Sequence, residues 1–152
     1  MTSTLDLTKS ELHLSFDSTE LSLVQLARDA NFSANEFLNQ QSSLVSVTRT
    51  PDEWTLVGPH NWFESHKENF SSSQSKITAQ LTKEEVKLAL QIAGPLDMSM
   101  TGVLAAICEP LKRAQVPVYA LSTWDTDYVL IGKKDVEKAK QALANAGWQF
   151  KR

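Results

Sequence analysis

The residues able to do chemistry in this chain fall in two short stretches. One is Gly94-Pro95-Leu96-Asp97-Met98-Ser99-Met100-Thr101-Gly102 and the other is Thr123-Trp124-Asp125-Thr126-Asp127. The first leads into a predicted helix, whose opening N–H groups lack partners within the helix and attract a carboxylate. Gly102 lets backbone approach a bound group closely, and Ser99 and Thr101 offer hydroxyls. Each also has a plainer role: Ser99 or Thr101 as the N-cap, and Gly102 as the residue that lets the helix pack against a strand. The second stretch is turn-forming. Asp125 and Asp127 either bond nearby backbone N–H groups or, at Asp127, receive an ammonium group. Trp124 is either a lid over a ligand or filler at an interface.

Elsewhere the chemistry is sparse. His13, His60 and His66 stand at no metal-ligand spacing, and Cys108 sits on an apolar helical stripe, which predicts a buried structural thiol. The sequence contains no GxSxG, HExxH, CxxC or glycine-rich phosphate loop, and no nucleophile is paired with a base in it. No catalytic residue, metal or cofactor is therefore expected. Arg49 precedes a turn, where it either binds a carboxylate or, as the expected arrangement, pairs with Asp52 or Glu53 in a surface bridge of little energetic weight.

Bulk properties narrow the classes. The 152 residues suffice for one ordinary domain or two small ones, and 41% hydrophobic with 22% charged residues is globular in character. A net charge of −3, a pI near 5.6 and no Lys/Arg cluster argue against a nucleic-acid partner, which requires a basic footprint. One cysteine excludes an intramolecular disulfide and fits a reducing compartment. The opening MTSTLDLTKSELHLSF has no basic segment followed by an apolar core, and no apolar run approaches the roughly 20 residues of a membrane span. A cytoplasmic protein without a membrane contact is expected.

The elements that must position the two stretches follow from periodicity. Val86, Leu88, Leu90 and Ile92 alternate as a strand ending at Gly94-Pro95. Val103, Leu104, Ile107, Cys108 and Leu111 form one helical stripe starting near Thr101, with a kink or break expected at Pro110. A strand over Val116 to Thr123 turns at Trp124 to Asp127 and returns as Tyr128 to Ile131. A helix over about Lys134 to Ala146, Gly147 as its C′ residue and a short strand at Trp148 and Phe150 complete the order. This second half is an α+β, ferredoxin-like (βαββαβ) unit.

The first half is a degenerate version of the same plan. Leu12 to Phe16 and Leu21 to Ala27 are expected to form a hairpin across Asp17-Ser18-Thr19-Glu20, although the latter run also fits a short helix. A helix over Ala34 to Gln40 is capped by Ser33, and Leu44 to Thr50 pairs with Trp54 to Val57 across a Pro51 turn. Trp62, Phe63 and His66 mark a helical turn. Ser71 to Ser75 is the best linker, giving expected domains of 11–75 and 76–152.

The strings LSTWDTDYVLI, GPLDMSMTGVLAAICEPL and SVTRTPDEWTLVGP together resemble the tandem ACT-domain proteins, a group that includes small bacterial proteins and the cytosolic arginine sensors called CASTOR. The resemblance implies two ferredoxin-like ACT modules per chain and a non-catalytic regulatory protein that binds a small molecule, most often an amino acid. A homodimer or a protein partner fits the same family; a purely structural interaction module is the alternative. It further implies a ligand held by Ser99, Met100, Thr101, Gly102 and Val103 with Thr123, Trp124, Thr126 and Asp127. The arginine sensors carry an acid where this chain has Met100, which points either to a ligand less basic than arginine or to none.

Overall fold

A computed structural model describes residues 5–30, 32–70 and 86–151. The expected Ser71 to Ser75 linker lies outside the described residues. The chain divides into two compact units: a split unit of residues 1–18 and 88–152, and an inserted unit of residues 19–87. This differs from the expected boundaries, 11–75 and 76–152, because β1 (Leu14–Phe16) packs with the later part of the chain.

In the split unit, β1 pairs antiparallel with β5 (Lys87–Ile92), Leu14 opposite Ile92 and Phe16 opposite Leu90. α3 (Val103–Arg113) follows, then β6 (Val118–Ser122), β7 (Asp127–Gly132) and α4 (Val136–Asn145). β7 lies between β5 and β6. The terminal segment returns beside β1, where the Leu14 N–H donates to the Gln149 carbonyl and the Lys151 N–H to the Leu14 carbonyl, both at 2.8 Å. β1 thus occupies the position next to β5 and the closing segment joins β1 instead. Alternation in β5 and β7 sends Leu90, Ile92, Val129 and Ile131 inward, where they meet Val103, Ile107 and Leu111 of α3 and Val136 and Leu143 of α4. Each such aliphatic side chain contributes about 1.5–3 kcal/mol when fully buried.

α3 runs without a break through Pro110, where a kink or a break was expected. The proline costs one N–H donor, while the stripe of Ile107 and Leu111 on either side stays fully buried and holds the helix together.

In the inserted unit, β2 (Leu21–Ala27) pairs along its whole length with β4 (Glu53–Pro59), from Leu21 opposite Pro59 to Ala27 opposite Glu53. β3 (Ser46–Arg49) lies on the other side of β4, and Leu21 pairs with Lys87. The expected hairpin of Leu12–Phe16 with Leu21–Ala27 does not form. A seven-residue strand finds seven partners in β4, and that match buries Val24, Leu26 and Leu56; a three-residue β1 has no comparable ladder. α1 (Ala34–Leu38) starts at Ser33, whose hydroxyl accepts the Glu36 N–H, and sets Phe37 into a core with Phe63 of α2 (His60–His66). A Cβ on Gly58 of β4 would stand 2.6 Å from the Phe37 ring, so only glycine leaves room for that ring on the sheet.

Candidate functional site

In the split unit the loop after β5 and the β6–β7 turn are fastened to each other. The turn closes on itself: the Thr123 N–H and hydroxyl donate to the Thr126 carbonyl at 2.8 and 3.0 Å, and the Thr126 N–H returns to the Thr123 hydroxyl at 3.3 Å. Thr126 is buried, and its hydroxyl donates to the Ile92 carbonyl at 2.7 Å. The Leu96 N–H donates to the Asp125 carbonyl at 2.7 Å. Gly94 permits this closeness. Its φ is +63°, and a Cβ there would meet the Asp125 carbonyl oxygen at 3.0 Å and Thr126 Cβ at 3.1 Å.

Past Leu96 the loop folds around Asp97. The Asp97 carboxylate accepts the Ser99 N–H, and its carbonyl accepts the Met100 N–H, each at 2.8 Å. The hydroxyl of Ser99 first, and its N–H second, hold the Asp97 carboxyl below the usual carboxylate range. Gly102, at φ +79°, is the N-cap of α3 and no side chain caps the helix. Neither Ser99 nor Thr101 therefore caps it, and the helix begins at Val103. A Cβ on Gly102 would meet no protein atom within 4 Å, so the left-handed conformation, not close packing, calls for glycine there.

Between loop and turn lies a cavity of about 340 Å³, within the size range of small-molecule sites, roughly 300–1,000 Å³. Of the residues expected from sequence, Met100, Gly102, Val103, Thr123, Trp124, Thr126 and Asp127 line it. Ser99 and Thr101 do not; both are exposed on the loop. Leu96, Asp97, Met98, Leu104 and Ser122, which were not among the expected ligand contacts, also line it. For Leu96 and Met98 the signal is their alternation with Met100 through a loop, where apolar side chains lack a secondary-structure reason.

The cavity has one charge sign. Asp97, Asp125 and Asp127 line it, and no Lys, Arg or His does. Asp127 accepts the Ser122 hydroxyl at 2.5 Å, which fixes its orientation at the end of the β6–β7 ladder. Met98 and Trp124 stand at the rim, 82% and 83% exposed. Met100 is half-buried and packs against the unit's core. Among the described residues no group of three His, Cys, Asp or Glu side chains is placed to hold a metal ion.

Other candidates resolve separately. Cys108 is half-buried, and burial pushes its thiol pKa up. His66 stacks on Trp62 at 4.3 Å between ring centroids and lies 3.7 Å from Glu36. Ser22 and His60, far apart in sequence, meet at 2.8 Å between the hydroxyl and Nδ1; the serine is buried and does not line the cavity. Arg49 makes no ion pair with Asp52 or Glu53. Its guanidinium lies 5.1 Å from the Trp54 ring centroid, because Arg49 and Trp54 are cross-strand partners on one face.

Strand order and helix placement define the split unit as an α+β module of ferredoxin-like type. Residues 82–145 match the family model described as ACT domain. Among curated proteins, the chain is similar to human CASTOR3P, 23% identical over 109 residues that cover 72% of this chain and span 66% of the length of that relative. Solved structures of like fold include the Agrobacterium tumefaciens protein Atu0741, 22% identical with a TM-score of 0.67 over 91% of both chains. The ligand-free regulatory subunit of aspartate kinase from Thermus thermophilus is 13% identical with a TM-score of 0.59, covering 88% of this chain and 96% of that one. At such identities these structures speak for the fold. Among the described residues no helix is long and apolar enough to cross a membrane.

Proposed function

We propose that this protein is a non-catalytic regulatory module of the cytoplasm that binds a small zwitterion, an amino acid with a neutral apolar side chain, in the cavity of its split unit. One observation carries the reading: a single cavity joins the uncapped start of α3 to the Asp127 carboxylate. The helix N-terminus suits an α-carboxylate and Asp127 suits an α-ammonium. Leu96, Met98, Met100 and Leu104 supply an apolar wall for the remaining side chain. The names of the similar proteins, an aspartate kinase regulatory subunit among them, agree with a regulatory role. The inserted unit, with its β2–α1–β3–β4–α2 order, is on this reading a second ACT-like module, so that the tandem arrangement consists of residues 19–87 and the split unit around it.

A thermal-shift screen against the twenty amino acids tests the proposal. A ligand at a hundred times its dissociation constant raises stability by about 2.7 kcal/mol, and Asp127→Asn abolishes the shift while leaving the unliganded midpoint nearly unchanged. If no amino acid moves the midpoint, the reading is wrong.

The exposure of Met98 and Trp124 favours a second reading, in which this rim is a contact surface for another copy or a different protein and takes no ligand. Light scattering on wild type and Trp124→Ser separates the two. A dimer lost in the variant, with no amino-acid response in either, selects the contact surface.

A further inference from the structure

The inserted unit repeats the construction of the cavity just described, with the charge reversed. Its β3–β4 turn closes through the same three hydrogen bonds as the β6–β7 turn. The Thr50 N–H and hydroxyl donate to the Glu53 carbonyl at 2.9 and 3.4 Å, and the Glu53 N–H returns to the Thr50 hydroxyl at 3.2 Å. Thr50 and Glu53 thus play the parts of Thr123 and Thr126. Beside this turn, where the chain leaves β2 towards α1, lies a second cavity of about 340 Å³. Arg28, Arg49, Thr50 and Pro51 line it. The loop leading to the first helix and the turn between the middle strands form the walls, as they do in the split unit.

Trp54 contacts the backbone of Arg28 and the side chain of Arg49. Its indole N–H donates to the Arg28 carbonyl at 3.2 Å, and its ring lies under the Arg49 guanidinium. It occupies β4, the strand between β2 and β3, so the two arginines flank it from opposite sides. Among the described residues, no carboxylate forms an ion pair with either guanidinium, although Asp29 and Asp52 are near in sequence. The Glu53 carboxylate is taken by Gln25 and Thr55. Two unneutralised guanidiniums on one concavity are notable in a chain whose net charge is −3.

We propose that this cleft binds a small, doubly charged oxyanion, a phosphomonoester or a dicarboxylate. Each guanidinium presents a planar fork of N–H donors that matches two oxygens of one oxyanion, and two such forks balance two negative charges. The carboxylate-lined cavity would repel such a dianion, so the two cavities differ in the net charge they accept. The inference does not depend on the amino-acid site of the split unit.

Calorimetric titration of the full chain with methyl phosphate and, separately, with succinate tests it, at about pH 7.5, where a phosphomonoester is largely dianionic, and with ionic strength held constant. One anion is expected to bind saturably, one per chain. Arg28→Gln and Arg49→Gln should each weaken it at least about tenfold, the loss expected for one charged hydrogen-bonding group. Asp127→Asn should bind as wild type. Saturation by methyl phosphate alone assigns a phosphoryl ligand, and by succinate alone a dicarboxylate. Arg28 has no side-chain partner among the described residues, so Arg28→Gln keeps the test valid should Arg49→Gln disturb Trp54. Absence of saturable heat with both anions, or wild-type affinity in the Arg28→Gln/Arg49→Gln double variant, overturns the proposal.

Discussion

The hydroxyl of Thr126 donates to the carbonyl of Ile92 at 2.7 Å, and this bond joins the β6–β7 turn to the end of β5. Thr126 is buried and Ile92 fully so. Thr126→Val keeps the shape and removes the donor. It should lower unfolding free energy by about 1–3 kcal/mol, the cost of an unsatisfied buried acceptor, whereas Thr126→Ser should largely retain it. Urea denaturation of the two variants checks the difference. The sequence reading offered Thr126 as a ligand contact. Its hydroxyl donates into the scaffold, and the residue also lines the cavity between Asp125 and Asp127.

Gly94 and Gly102 separate two uses of glycine on the same loop. Both have positive φ, but a Cβ on Gly94 strikes Asp125 and Thr126, while one on Gly102 strikes nothing. Gly102→Ala should cost only the left-handed conformation, about 1–2 kcal/mol. Gly94→Ala should cost more, by about a further 1–3 kcal/mol of overpacking. Denaturant midpoints that come out equal for the two variants would contradict the close approach of loop and turn.

In the inserted unit the same logic applies to Gly58, whose backbone carries no strain and whose missing side chain is occupied by Phe37. Gly58→Ala should destabilise by about 1–3 kcal/mol, and Gly58→Ala/Phe37→Leu should recover part of that loss by vacating the contested space. Double-mutant analysis by chemical denaturation measures the recovery.

The parts of the fold that the sequence revealed are those set by local pattern. Alternation at Leu88, Leu90 and Ile92 and the stripe of Val103, Ile107 and Leu111 fix a strand and a helix without reference to anything distant, and β5, α3, β6, β7 and α4 follow. The hairpin of Leu12–Phe16 with Leu21–Ala27 failed for the opposite reason. Asp17 to Glu20 has turn chemistry, but pairing is decided by the burial a distant partner provides, and β2 and β1 find theirs in β4 and β5. The site divides in the same way. Gly102, Trp124 and Asp127 could be picked out as residue types in a loop and a turn, whereas the place of Ser99 beside the cavity rather than on its wall goes with its N–H bond to Asp97. The meeting of Arg28, Arg49 and Trp54 requires the register of three strands, which composition does not contain.

Cys108 lies on α3, half-buried, and burial raises its thiol pKa. Alkylating reagents attack the thiolate, so the folded protein should react with iodoacetamide more slowly than the urea-unfolded chain at neutral pH. The midpoint of rate against pH should also lie higher in the folded protein. Because the native state holds this proton more tightly, the associated stability is complete below the unfolded thiol pKa. It fades as pH rises through the folded one. Equal alkylation profiles for folded and unfolded chains would contradict the burial.

Asp97 responds in the reverse sense. The Ser99 hydroxyl and N–H stabilise its carboxylate, so its folded pKa lies below the unfolded value. Such a group contributes stability above the unfolded pKa and loses it as pH falls through the folded pKa. Asp97 is fully exposed, so its titration is better followed directly than through stability. Carboxyl carbon shifts should place its midpoint below those of unperturbed aspartates, and Ser99→Ala should move it part of the way back, since the N–H bond at 2.8 Å remains. Ser99 does not line the cavity, yet its bonds to Asp97 keep that wall carboxylate charged to lower pH than an unperturbed aspartate. In Ser99→Ala, attraction of a cationic ligand group should therefore weaken first at the acid end of a binding profile, with little change near neutrality.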